Sequence, residues 1–332
     1  MDNQNNQNDQ NEIEKIAVFE VTPMWAGTLS IVDTDAALVA AGVPPERLPK
    51  KPARSVAMRR AIEEVAPRGA KIDMLPKGLG VTMSLKDASR LDLEQLAAIQ
   101  GGTVREAASY LATFTAKVNV QNINGTEIET VSFSPEDHPM VPLVREVYGV
   151  KKEQYQCSED LSVWFSQNIL PSLNAISKRS RGGVYYVPAS GAGLLKAVQN
   201  GLRQVSQSHQ IDRNVEGKSF PVHIVSNGGK VYIEPRYKSD STAMEIAVDG
   251  IIRHADGVLN DMEAALQGTD RKLGKRALAT KNEEALALEA EISQWEGMAS
   301  VSLDLLRNRL NELKNAIGMA ELAADRNNNQ ET

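Results

Sequence analysis

The sequence predicts an α+β protein, a mixed domain with β-hairpins followed by a long C-terminal helical hairpin or coiled coil. Three observations carry that reading. Residues 114–133 alternate apolar and polar side chains around Asn124-Gly125, the short-range mark of a hairpin. A second pair, Asn227-Gly228, sits inside the similar run FPVHIVSNGGKVYIEP. From Asp240 onward the apolar residues recur at helical spacing. The expected organisation is a polar tail over 1–12, the mixed domain over 13–238 with a division near 135–157, the helical part over 239–325, and a second tail over 326–332.

In chain order, residues 15–21 (KIAVFEV) suit a strand that Thr22-Pro23 stops. VDTDAALVAAGVPP reads as a short helix, capped by Asp33 or Thr34 and ended by Gly42 and Pro44-Pro45. Pro49 and Pro52 then hold the chain extended before an amphipathic helix built on Val56, Met58, Ile62 and Val65, which Pro67 closes. Arg47, Lys50, Lys51, Arg54, Arg59, Arg60, Arg68 and Lys71 make this window locally basic. GVTMSL is a strand, and LDLEQLAAI a helical turn or two. In the hairpin, Phe114, Ala116, Val118 and Val120 share one face. Ile128 is out of phase with Val131 and Phe133, which predicts a bulge in the return strand. Ser134 and Pro135 are placed to start a helix.

Leu161, Trp164, Phe165, Ile169, Leu173 and Ile176 stand at helical spacing, with a kink expected at Pro171. Next comes SKRSRGGVYYVPASGAG, residues 177–193, and then a helix. RGGVYYVP (181–188) and NGGKVYIEP (227–235) echo each other, so two such strands are expected to pair in one sheet. In the tail, Val248, Ile251, Ile252, Ala255, Val258, Leu259, Met262 and Leu266 form a stripe closed by Gly268. A longer helix is expected from about 271 to 324, on the order of 80 Å. Its seam is Leu288, Ile292, Trp295, Ala299, Leu303, Leu306, Leu310, Leu313, Ile317 and Ala320. Steps of three and four alternate except at Trp295, Ala299 and Leu303, which reads as a heptad seam with one stutter.

Composition narrows the chemistry. A net charge of −6 argues against a protein that coats nucleic acid along its whole surface, so such binding needs a local patch. Cys157 is the only cysteine, so there is no intrachain disulfide and no cysteine zinc cage, as fits a reducing cytoplasm. No run approaches the roughly 18 apolar residues of a membrane span. His138, His209, His223 and His254 show no ligand spacing, and no metal or cofactor is expected. No Gly-x-Ser-x-Gly elbow occurs.

Two readings of function follow. In the first, the chain is a non-enzymatic interaction protein. It self-associates through Ile292, Trp295, Leu303, Leu306, Leu310 and Leu313, and meets an acidic partner, nucleic acid or host protein, through Arg54, Arg59, Arg60, Lys178, Arg179 and Arg181. In the second, the loop at 188–193 holds a nucleotide or phosphate on Ser190, Gly191 and Gly193 at a helix N-terminus. That loop departs from both glycine-rich patterns, because Leu194 and Leu195 follow the glycines and Lys196 stands where a third small residue belongs. The bland reading is a strand-to-helix turn.

The Ala-Ile-x-x-Arg-Ser-x-Gly-Gly-Val-Tyr-Tyr-Val-Pro stretch ending at Pro188 resembles a motif of a family of bacteriophage and prophage proteins. PKKPARSVAMRRAIEEV and the helical tail are similar to other parts of that family. The resemblance implies a viral or mobile-element origin and the host cytoplasm, and it assigns no activity.

Overall fold

The computed structural model describes residues 16–66, 70–78, 80–85, 114–123, 126–178, 183–215, 218–267, 275–299 and 303–328. In order these form β1 (Ile16–Ala26), β2 (Thr28–Ser30), α1 (Ile31–Ala40), α2 (Arg54–Val65), β3 (Ala70–Met74), β4 (Gly80–Leu85), β5 (Phe114–Ile123) and β6 (Thr126–Ser134). There follow α3 (Val141–Lys151), β7 (Gln154–Gln156), an irregular helix α4 over 157–172, β8 (Ile176–Ser177), β9 (Tyr185–Pro188), α5 (Ala192–Val205), β10 (Gln207–Val215) and β11 (Lys218–Tyr237). The chain closes with α6 (Ser241–Gln267), α7 (Lys275–Ala299) and α8 (Asp304–Asn328). Mixed helices and antiparallel sheets with a helical C-terminus make this an α+β fold.

A five-stranded antiparallel sheet, ordered β10-β11-β1-β9-β8, stands at the centre. Strand alternation sends Phe19, Val21, Val187 and Val231 to one face, where Leu38 of α1, Leu161, Phe165 and Ile169 of α4, and Leu195, Val198 and Leu202 of α5 cover them. Val18, Tyr186 and Ile176 go to the other face, under Ala243, Met244, Ala247 and Ile251 of α6. A register shift between Ile16 and Val18 lets Ala17 join that second face as well. A separate sheet, β3-β4-β5-β6, packs Val81, Met83, Phe114, Ala116 and Phe133 against Ala57, Met58, Ala61 and Ile62 of α2 and Val144 and Tyr148 of α3.

Several elements differ from expectation for identifiable reasons. β1 runs through Pro23 because β9 pairs only with Val18–Val21, so beyond that point one side of β1 is an edge and needs no N–H from Pro23. The cap of α1 is Ser30, whose Oγ accepts from the Asp33 N–H at 3.3 Å, ahead of the expected Asp33 or Thr34. β5 and β6 form the expected hairpin, with the turn at 124–125 outside the described residues, but no bulge occurs at Ile128. The register is unbroken and Ile128 sits exposed on the solvent face. The helix expected at Ser134 begins only at Val141. LDLEQLAAI lies outside the described residues.

Asn227-Gly228 is not a hairpin turn. β11 passes straight through it, pairing with β10 up to Asn227 and with β1 from Gly228 onward. Gly228 has φ +113°, and a Cβ there would strike Ser206, so the partner switch requires glycine. Ser206 Oγ accepts from Gly229 N–H and donates to Gly229 C=O, both at 2.9 Å, while Gln199 donates to Val231 C=O at 2.7 Å. These side chains occupy the edge that β10 leaves. The two echo segments share one sheet but do not pair with each other as expected. They lie on either side of β1, with Tyr185-Tyr186 and Ile233-Glu234 facing the same pair, Val21-Glu20.

The tail is a three-helix bundle, and the single helix expected over 271–324 is two helices, α7 and α8. The stutter marks the place: its two four-residue steps straddle the break between Ala299 and Leu303. Glu296 accepts the Leu303 N–H at 2.8 Å and pairs with Arg307, fastening the turn. Arg309 of α8 reaches Asp256 at 3.0 Å and Glu263 at 2.8 Å on α6, and Lys314 reaches Glu289 of α7 at 2.8 Å.

Candidate ligand-binding cleft

The most constructed polar cluster lies between α2 and α4. Along α4 and at its C-cap, Cys157, Leu161, Phe165, Ile169 and Leu173 recur every fourth residue and all are buried. An α-helix of about 3.6 residues per turn would carry such a row off its face. The chain keeps the row aligned by winding Cys157–Leu161 and Phe165–Ile169 as π-helical turns, with α-helical turns Ser162–Trp164 and Leu170–Ser172 after them. π-helical turns recur at functional sites in proteins. The first one projects Glu159 and Asp160 toward α2.

Arg60 of α2 meets them. Its Nη1 donates to Asp160 Oδ2 at 2.7 Å, and its Nη2 donates to Asp160 Oδ1 and Glu159 Oε2, both at 2.8 Å. Asp160 Oδ2 also accepts the Gln156 N–H at 2.7 Å. The Arg60 side chain is only 8% exposed, Asp160 14% and Glu159 53%. Burial works against the guanidinium charge, but its hydrogen bonds to Asp160 and Glu159 outweigh it and raise the Arg60 pKa. Arg60 Nε is buried with no hydrogen-bond partner among the described residues.

Beside this cluster opens a cleft of about 450 Å³ lined by Lys50, Val56, Val163, Trp164, Gln167 and Asn168. The extended segment that carries Lys50 is pinned at its edge. Trp164 Nε1 donates to Arg47 C=O at 2.6 Å, and Tyr155 OH, bonded to Asp35, reaches Pro49 C=O at 3.0 Å. The volume is that of a small-molecule or peptide-anchor site.

The cations singled out from sequence are distributed differently. Arg54 donates to Lys152 C=O at 3.1 Å and stands 3.5 Å from Glu129. Arg59 lies 3.7 Å from Glu63 and 3.6 Å from Glu159. Lys178 pairs with Glu20 at 2.9 Å, with Arg236 on the same carboxylate and the Tyr186 ring beneath it. Arg179 and Arg181 lie outside the described residues. Lys178 sits with Tyr186 and Glu20 on the α6 side of the central sheet, whereas Arg60 contacts α4 on the opposite side, so Lys178 and Arg60 share no partner among the described residues.

Ser190 Oγ accepts from Gln294 Nε2 of α7 at 2.8 Å. Gly191 is buried where a Cβ would come within 2.9 Å of Val187, and Gly193 faces open space. Ser190 thus ties this loop to α7 by one exposed hydrogen bond. Ile292, Trp295, Leu303, Leu306, Leu310 and Leu313 are buried in the core that α6, α7 and α8 share within one chain. A third helix of the same chain, α6, covers the seam expected to meet a second copy.

Cys157 is buried, and burial pushes its thiol up to about 11. His138 is buried 4.6 Å from the Phe114 ring and accepts the Met140 N–H. His254 pairs with Glu291 at 3.3 Å, and that hydrogen bond raises its pKa against burial. The side chains of His209 and His223 lie outside the described residues. Sequence reasoning picked out Arg60 but missed Glu159 and Asp160. The strict four-residue spacing of the α4 row was the available signal.

These features define an α+β protein with a polar cleft at the junction of two sheet layers. The chain belongs to the family of unknown function DUF6744, whose model spans residues 29–328. A comparison with curated proteins and one with solved structures each found no match. Among the described residues no helix is long and apolar enough to cross a membrane.

Proposed function

We propose that this chain is a non-enzymatic binding protein of the cytoplasm whose ligand sits in the α2–α4 cleft. The observation that supports this is Arg60 held on two carboxylates at a π-helical turn beside the cleft. Such a cluster costs desolvation, which a purely apolar junction would avoid. Lys50 and Arg60 balance Glu159 and Asp160, so the ligand that fits is neutral and polar. Gln167 and Asn168 offer amide donors and acceptors, Glu159 offers an exposed carboxylate, and Val56 and Val163 offer apolar contact. A short peptide segment has that chemistry.

Thermal shift with N-acetyl dipeptide amides tests the reading, because a ligand of the folded state raises the melting temperature with occupancy. The shift is expected in the native chain and lost in Val163→Trp. Val163 is exposed at the cleft, so an indole there fills the space without entering the core. Equal shifts in both proteins, or none in either, would sink the idea.

An acidic partner is the competing reading. With Arg54, Arg59, Arg60 and Lys178 each beside an in-chain carboxylate, it rests on cations such as Arg179 and Arg181. Nucleic-acid binding that falls steeply as salt rises would favour it over the cleft. Self-association belongs to the same proposal, moved to the outer face of α8. There Leu305 and Met319, two heptads apart, are exposed with Leu322, a spacing that suits α8 of a second copy. A phage origin rests on the motif ending at Pro188.

A further inference from the structure

A second cleft, of about 380 Å³, opens at the β8 edge of the central sheet, between the end of α4 and the middle of α6. Leu170 and Pro171 of α4, with Ala175 and Ile176 after them, give it an apolar side. Gly250, Arg253 and His254 of α6 form the other side. Spacings of three and four residues put these three on one face of the helix, so the two basic side chains flank the line of Gly250. Gly250 also sets the depth of the contact. A Cβ there would come within 2.8 Å of Ile176 Cδ1, so α6 lies directly on β8, and Arg253 and His254 follow one turn further on.

The charges in the cleft do not cancel. No carboxylate lines it, and Asp249, one turn before Arg253 on α6, is outside the lining. His254 Nε2 stands 3.3 Å from Glu291 of α7, and that hydrogen bond favours the imidazolium, so these two groups neutralise each other. Arg253 has neither a hydrogen bond nor an ion pair among the described residues, unlike Arg54, Arg59 and Arg60. The excess is one positive charge, carried by a planar fork beside an apolar wall.

We infer that this cleft binds a small monocarboxylate, its carboxylate on the Arg253 fork beside His254 and its hydrocarbon body against Leu170, Pro171 and Ile176. A guanidinium meets the two oxygens of a carboxylate with two parallel N–H donors. One unpaired cation balances one negative charge, whereas the second charge of a phosphate monoester would go uncompensated near Glu291. The inference does not rest on the α2–α4 cleft, with which this one shares no lining residue.

Isothermal titration of the full chain with 3-phenylpropanoate, and with 3-phenylpropanamide as the uncharged control, tests it. The carboxylate is expected to bind and the amide not, with 2-phenylethyl phosphate binding less tightly than the carboxylate. Arg253→Gln should weaken binding about tenfold, the loss of the charge-assisted fork. Lys196→Gln, which removes an exposed cation from α5, should leave it unchanged. Arg253 is itself exposed, so its replacement leaves the core intact, and circular dichroism checks that each variant is folded. Absence of binding, equal binding of the amide, tighter binding of the phosphate, or an unchanged Kd in the folded Arg253→Gln protein would overturn the inference.

Discussion

Replacing Arg60 by Met keeps the length of the side chain and removes its charge. Asp160, 14% exposed, then loses two charge-assisted hydrogen bonds and keeps only the Gln156 N–H. Breaking a buried ion pair from one side costs about 3–5 kcal/mol. Glu159 is half exposed and rehydrates freely, so the low end applies, about 3 kcal/mol. At roughly 2–4 °C per kcal/mol for a large domain, the melting temperature should fall by about 6–12 °C. Asp160→Asn alone should cost about 2 kcal/mol, because Arg60 retains Glu159 and the amide still accepts from Gln156. The double variant buries no unpaired charge and should cost about 3 kcal/mol, some 2 less than the sum. Urea unfolding followed by circular dichroism and tryptophan fluorescence reads all three. An Arg60→Met protein within about 1 kcal/mol of native, or strict additivity in the double variant, would refute the reasoning.

Other perturbations separate packing from propensity. Gly201→Ala should destabilise by about 1–3 kcal/mol despite the better helix former, since its Cβ would lie 2.9 Å from the Leu38 Cα where α5 crosses α1. Gly297→Ala, in open space on α7, should instead stabilise by about 0.5–1 kcal/mol, and thermal melts of the pair check both signs. Cys157 should resist a thiol reagent at pH 8 and react only as the chain unfolds, which labelling rates across a urea series will show. His254 has a folded pKa above its unfolded value near 6.5, so its pairing with Glu291 stabilises the bundle fully below that pH. The contribution is lost as pH rises through the raised pKa, and His254→Ala should flatten that slope in melts from pH 5 to about 8.5.

The fold class was legible because periodicity reports burial on a single element, as at β5–β6, α2 and α6. What could not be read were the places where one element answers to two neighbours. Pro23 looked like a stop because nothing in KIAVFEV says that β9 is shorter than β1. Asn227-Gly228 looked like a turn because the same residues serve a strand that changes partner. Ile292 to Leu313 displayed a seam, and a seam records that a partner exists without saying that α6 is that partner. The site was half legible for a related reason. Arg60 stood in a visibly basic window, but its meaning comes from Glu159 and Asp160, about 100 residues away, presented by a turn that α-helical periodicity does not describe.

The continuous β11 strand gives the molecule two melting tiers on one backbone. Its first half, 218–227, is hydrogen-bonded to β10, while its second half lies between β1 and the capping groups of α5 in the central sheet. Gly228 is the fulcrum between them. Amide protons on the β10 side should therefore exchange early and together, as a foldon of their own, while those paired with β1 wait for global unfolding. The outer hairpin can open and close like a latch without the β1–β11 pairing losing a bond.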